Sequence, residues 1–360
     1  MIVLDGSRKS GSGTIVRSAA VLAALARRPL RVTNVRAKRA HPGLQPQHLR
    51  AVETVASLSG GHLENARVGS REFALQASGC IRGGRYLVDI GTAGSTTMLA
   101  LTVLPLAAFA DEPSRFEIRG GLFQDFAPSA FHLQHALLPL LGRMGLSAEV
   151  RMIRPGYVPR GEGVLELSVR PVSGALRPLV LTDPGRVTRV WGIALSSHLH
   201  AQRVSERLAN RCQERLAAHG FGAEIQLHND TTALQRGAAL AVFAETDTAC
   251  ILAADRAGAP GRPAEAIADR VAEMLLEDLA SGATVDRHLG DQLVLYAALA
   301  DGVSEFTVPN VTDHVDTNCW LVEEIVGAKV ALAGRALRIA GVGYRRPAAG
   351  NRKNWAGSSM

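Results

Sequence analysis

Apolar positions along this chain alternate between helical and strand spacing in an order that recurs. Three stretches share it: helix, strand, loop, helix, then two strands. In the first, helical spacing over 14–26 leads to a strand over 30–35. A loop carrying Pro42 and Gly43 follows, then a helix over 47–58 and strands near 62–68 and 72–76. The second runs from a helix over 95–108 to a strand over 115–118, the loop 120–128, a helix over 130–143 and strands near 147–152 and 163–169. The third has a helix over 291–300, a strand over 305–308, a loop around His314, a helix ending at Val326, and strands over 329–332 and 337–339.

This grammar predicts an α/β (α+β) fold of three β-α-β-α-β-β units, each covering one sheet face with two helices. The pattern breaks between 183 and 280. There 190–199 reads as strand or short helix, 203–219 as an amphipathic helix, 223–227, 239–244 and 250–253 as strands, and 267–279 as a helix. That is a small α/β domain inserted into the third unit. The expected division is a core of 1–182 and 281–344, an insert of 183–280, and a disordered basic tail of 345–360, rich in Arg, Lys, Gly and Ser.

Composition narrows the partners. Aromatics are only 4% of the 360 residues, so Ala, Val, Leu and Ile must build the core. A net charge of +7 suits a polyanion such as RNA. The longest apolar run, 98–110, is too short to span a bilayer, so no membrane partner is expected. The start reads as a first strand rather than a targeting peptide. Cys80, Cys212, Cys250 and Cys319 lack metal-knuckle spacing, and free thiols fit a reducing cytoplasm.

Candidate chemistry gathers at loops that precede helices. His314 stands between a strand and a helix that Thr312, Asp313 or Asp316 can cap. Backbone N–H groups there favour phosphate, and a histidine among them can act as a nucleophile on phosphorus. A loop histidine with only local hydrogen bonds has the same signature. Residues 5–13, rich in Gly and Ser, can cradle phosphate with Arg8, Lys9 and Arg17, yet lack the P-loop ending. Residues 91–97 form a second small-residue turn before a helix. Arg36, Lys38 and Arg39, with His41 and His48, form either an RNA-phosphate contact or a solvated charge cluster. Asp291 at a helix start can cap it, or accept a ribose hydroxyl or a metal.

Specific stretches then add a resemblance. Leu4-Asp-Gly6, Ile15-Val-Arg-Ser18, the segment 36–49, Gly94-Ser95, Thr102-Val-Leu-Pro105, Gly156-Tyr-Val-Pro-Arg-Gly161, Arg262-Pro-Ala-Glu265, Asp291-Gln-Leu-Val-Leu295, and His314 with Thr317-Asn318 occur in order. Together they resemble the RNA 3′-terminal phosphate cyclase family, over nearly all of the first 340 residues. The resemblance implies three repeats plus a small inserted domain. It implies ATP and a divalent metal (Mg or Mn) as cofactors, and an RNA with a 3′-terminal phosphate as partner. His314 would carry AMP as a phosphoramidate on the way to a 2′,3′-cyclic phosphate. His288, Leu289, Gly290, Asp291, Gln292 and Pro128 would hold the nucleotide. Arg17, Arg36, Arg39 and His48 would hold RNA phosphate, and the metal ligands stay unassigned. Ser10, Thr14, Leu101 and His288 depart from the family's Glu, Gln, Gln and Tyr. Those departures keep open a second reading, an RNA-binding or RNA-processing paralogue that does not adenylylate.

Overall fold

The computed structural model describes residues 1–77 and 79–347. The first unit is β1 (Ile2–Asp5), α1 (Gly13–Leu25), β2 (Leu30–Thr33), α2 (Pro46–Ser59), β3 (His62–Glu64) and β4 (Phe73–Gln76). Its sheet runs β1-β2-β4-β3, with β1 parallel to β2 and the other pairs antiparallel. α1 is buried on nearly every side, which its Ala-rich sequence permits. Gly60, in the left-handed region, ends α2.

The second unit repeats this with β5 (Gly84–Asp89), α3 (Thr96–Ala107), β6 (Ser114–Gly120), α4 (Ala130–His132), a π segment (Leu133–Leu137), α5 (Leu138–Arg143), β7 (Ser147–Arg154) and β8 (Gly163–Arg170). Pro139 has no N–H to give to the preceding turn, which accounts for the π segment in an otherwise continuous helix. The sheet order is β5-β6-β8-β7.

The third unit opens with β9 (Val180–Leu181). The chain then leaves for β10 (Val187–Ser197), α6 (Val204–Ala217), β11 (Ala223–Asp230), β12 (Gly237–Thr246), β13 (Ile251–Ala257) and α7 (Ala264–Ala280). These strands form their own sheet, β11-β10-β12-β13. The chain returns with α8 (Leu289–Leu299), β14 (Val303–Thr307), α9 (Asp313–Val326), β15 (Lys329–Ala333) and β16 (Ala336–Ala340). The order β15-β16-β14-β9 matches the other two units. Periodicity located neither β5 nor β9, and these two strands complete the repeats.

At the start of the 345–360 segment two arginines reach back to the folded body. Arg345 pairs with Asp301 at 3.0 Å, and Arg346 donates to the Ala110 and Asp111 carbonyls. Both arginines have acceptors on the folded body, and the rest of the expected disordered tail of 345–360, residues 348–360, lies outside the described residues.

One buried carboxylate joins the pieces. Asp286 accepts from the N–H groups of His288 (2.8 Å) and Leu289 (2.9 Å), and so caps α8. It also accepts from Ala253 N–H on β13 (3.0 Å) and faces His132 Nε2 on α4 at 3.1 Å. Both side chains of the His132–Asp286 pair are fully buried. Burial opposes charge on His132, but Asp286 outweighs it and raises the imidazole pKa. Burial likewise opposes the Asp286 charge, and His132 carries that carboxyl lower. Sequence periodicity started this helix at 291, with Asp291 as a possible cap. The helix starts at Leu289 because Asp286 caps it, which leaves Asp291 in the first turn facing the cleft.

Asp286→Ala would strand a buried imidazolium and three backbone donors, and should cost about 3–5 kcal/mol. The deficit should be largest between about pH 4 and 6.5, where both partners are charged. It should shrink as pH rises through the raised folded value of His132. Denaturation midpoints of wild type and variant across pH measure both quantities.

Candidate active site

The N-terminal ends of α1, α3 and α9 open onto one cleft of about 670 Å³, together with the start of α2 and the first turn of α8. That volume suits a nucleotide-sized ligand.

His314 lies in the first turn of α9, not in the preceding loop, because Thr312 is the N-cap and its hydroxyl accepts from Val315 N–H at 3.2 Å. Its Nδ1 meets the Thr14 hydroxyl of α1 at 3.0 Å, while Nε2 has no hydrogen-bond partner among the described residues. In the tautomer whose Nδ1–H donates to Thr14, the free lone pair sits on Nε2. Burial lowers the His314 pKa, and the charges of Arg17 and Arg39 lower it further. The ring is therefore neutral near pH 7.

The surrounding helices are stitched by side chains four residues apart. Ser18 donates to Asn318 Oδ1 at 2.9 Å, and Asn318 Nδ2 donates to the Asp291 carbonyl at 2.8 Å. Ser10 N–H donates to Thr317 Oγ1 at 3.1 Å, and the Ser10 hydroxyl meets that of Ser12, the N-cap of α1, at 2.9 Å. Ser10 is thus part of a capping network.

The predicted nucleotide residues meet here. Pro128, His288, Asp291 and Gln292 line the cleft, while Leu289 and Gly290 are buried in the same turn of α8. Burial and His132 lower the His288 pKa, and the two rings meet edge to face with centroids 5.7 Å apart. Burial pushes the Asp291 carboxyl up to about 7, against the pull of Arg17. Gln292 Oε1 and the Tyr296 hydroxyl are buried with no partner among the described residues, and both residues line the cleft. Such orphaned groups on a cleft wall fit a ligand with hydrogen-bonding edges. Leu101 lines the same cleft with an apolar side chain.

Arg17, Arg36, Arg39 and His48 also line the cleft. Burial takes the Arg17 pKa down to about 10, so it stays charged. Arg36 spends its guanidinium on the His41 and Gly43 carbonyls, at 2.6 and 2.9 Å, and ties its own loop. Arg39 is exposed. Burial drives His48 down to about 2, so it is neutral, and its imidazole fills the space where a Cβ on Gly13 would stand. Among the described residues no group of three or more His, Cys, Asp or Glu side chains is placed to hold a metal ion. The four cysteines are free. No described helix is long and apolar enough to cross a membrane.

Sequence reasoning missed Thr14, which it noted only as a departure from a family pattern. It also missed the His132–Asp286 pair. The Asp286 cap had a signal, an acidic residue just before an apolar helix. His132 had none, being one histidine on a buried helix.

A cleft built from repeated helix N-termini, with cations and a neutral histidine, has the chemistry to receive a phosphate. The family model for RNA 3′-terminal phosphate cyclase matches residues 8–332. Curated proteins named RNA 3′-terminal phosphate cyclase are similar over nearly their whole length. That of Hyperthermus butylicus is 37% identical over 96% of this chain and 99% of its own. That of Pyrococcus furiosus is 34% identical over 99% and 100%, and that of Pyrobaculum neutrophilum 34% over 95% and 99%. The chain belongs to the RNA 3′-terminal phosphate cyclase family.

Thr14→Val keeps the shape beside His314 and deletes the acceptor for Nδ1–H. Nitrogen NMR of the ring should show one tautomer in the wild type, with Nε2 unprotonated, and a mixture in the variant. An unchanged spectrum would mean that Thr14 does not set the tautomer.

Proposed function

We propose that this protein is an ATP-dependent RNA 3′-terminal phosphate cyclase that works through a covalent His314–AMP intermediate. The observation that carries the reading is the neutral His314 ring in the first turn of α9, its Nδ1 engaged by Thr14 and its Nε2 free. Family membership supplies the substrate class.

In the first step Nε2 attacks the α-phosphorus of ATP. The N–P bond forms as the bond to the bridging oxygen breaks, and pyrophosphate leaves with that electron pair. In the second, an oxygen of the RNA 3′-phosphate attacks the same phosphorus and the imidazole leaves. In the third, the adjacent 2′-hydroxyl attacks the terminal RNA phosphorus, loses its proton and expels AMP, closing the 2′,3′-cyclic phosphate. Splitting the reaction this way suits a histidine, which is both nucleophile and leaving group. Arg17, Arg39 and the first amides of α9 stabilise the phosphate charge. Pro128, His288, Leu289, Gly290, Asp291 and Gln292 form the nucleotide side, and Arg17 and Arg39 the RNA-phosphate side, where Arg36 ties the loop that carries Arg39 and neutral His48 packs against Gly13. A divalent ion (Mg or Mn) bound with the nucleotide would neutralise phosphate charge.

The same reading assigns 1–182 and 281–344 to the cyclase core and 183–280 to an inserted domain. The four free thiols suit a reducing cytoplasm. Leu101, apolar on the cleft wall, favours the second reading, a non-adenylylating paralogue.

Incubation with ATP labelled at the α-phosphate should leave acid-labile, alkali-stable label on the wild type and none on His314→Ala. Because burial lowers the His314 pKa, labelling should stay level as pH falls through about 6.5, where a free imidazole is half protonated. Equal labelling of the variant refutes the assignment. RNA binding without any labelling of the wild type supports the paralogue.

Arg39→Ala should weaken RNA end modification alike for all sequences, since phosphate contacts carry no base information. Its salt slope should fall by about 1. A paired assay of cyclic-end formation and RNA-free labelling across a salt series reads this. Equal loss of both steps would place Arg39 on the ATP side instead.

A further inference from the structure

Phe126 is the most exposed large hydrophobic side chain among the described residues, at 101% of its reference area. It belongs to the loop between β6 and α4, whose residues 124–128 line the cleft. Folding gives no reason for this placement. A ring in water gains nothing from burial. The backbone of Phe126 also has φ of +68°, the left-handed region that a bulky L residue avoids. Such strain persists only where the surroundings over-determine it, and it concentrates at functional sites.

Here the surroundings do over-determine it. Arg262 grips the Asp125 carboxylate with two bonds, of 2.8 and 3.1 Å. Ser129 N–H donates to Asp255 at 2.6 Å. The Pro128 carbonyl accepts from Thr97 Oγ1 at 2.7 Å. The loop is clamped on both sides of Phe126, so the ring is presented from a fixed base. The same cleft carries the cations Arg17 and Arg39. An apolar flat face beside fixed cations is how proteins hold single-stranded nucleic acid, with bases on rings and phosphates on cations.

We propose that Phe126 is a stacking platform for a nucleobase at the 3′ end of the RNA. This rests on the reading that the cleft receives an RNA 3′ end. Every base has a π-face, so the contact holds the end in place without selecting its sequence.

The test uses the full chain and a short RNA ending in a 3′-phosphate, with 2-aminopurine at the last or next-to-last position. Stacking on Phe126 should quench the fluorophore when the wild type binds. Phe126→Ala should lose the quenching and weaken RNA binding about 10- to 100-fold. Phe126→Trp should keep both, and Phe126→Leu, apolar but without a π-face, should fall with the alanine variant. Phe126→Gly should raise the thermal midpoint by relieving the strained φ, which separates loss of binding from loss of fold. If the wild type binds RNA and Phe126→Ala binds and quenches equally well, the proposal is overturned. It is also overturned if the alanine variant raises the KM for ATP in RNA-free labelling while RNA affinity is unchanged, since the ring then serves the nucleotide. A wild type that binds no RNA at all refutes the functional reading itself.

Discussion

Two hydrogen bonds between α1 and α9 set the geometry on which the cleft depends. Thr14 meets His314, and one helical turn further Ser18 meets Asn318. Both pairs are spaced by four residues on their helices, so they form two rungs between facing sides of the first and third units. Asn318 is buried and spends its amide on the Asp291 carbonyl, which brings α8 into the same register. A shift of either helix by one residue would break both rungs and leave the Asn318 amide unsatisfied in the interior, at a cost of about 1–3 kcal/mol for each stranded group. The histidine is therefore positioned by the contact between repeats.

This arrangement explains why the ring is neutral where cations crowd it. In the proposed reaction Arg17 and Arg39 would attract phosphate, and the same charges, with burial, hold the His314 imidazole unprotonated. Two needs of phosphoryl transfer, charge stabilisation and a nucleophilic nitrogen, thus reinforce each other. On the other wall Asp286 plays the organising part. It caps α8, pairs with His132 and accepts from β13, so the α8 end of the cleft is fixed by the second unit and by the sheet β11-β10-β12-β13 as well. On this side Gln292 Oε1, the Tyr296 hydroxyl and His132 Nδ1 are buried without a partner among the described residues.

Much of this was legible in the sequence, because three copies of one element order reinforce each local reading. The helices of all three units fall within a few residues of their periodic patterns. The strands that open the second and third units were not legible. β9 is two residues long, and β5, Gly84–Asp89, is mostly exposed and carries little hydrophobic pattern. The start of α8 was placed late because its cap is Asp286, three residues ahead of the helix, rather than a residue beside it. His314, Asp291, Gln292 and the basic residues were legible as a set, since loops and first turns of repeated units converge on one face. Thr14 and Phe126 were not. A threonine in a helix and a phenylalanine in a loop acquire meaning only from what stands across from them, or from what fails to cover them.

The central claim is that a particular nitrogen, His314 Nε2, becomes bonded to phosphorus. The most direct measurement is tandem mass spectrometry of protein incubated with ATP and digested under alkaline conditions that preserve a phosphoramidate. The account predicts one AMP adduct, carried by the peptide that contains His314 and localised by fragmentation to that side chain. An adduct on a lysine such as Lys9 or Lys38, or on another histidine of the cleft, would contradict it.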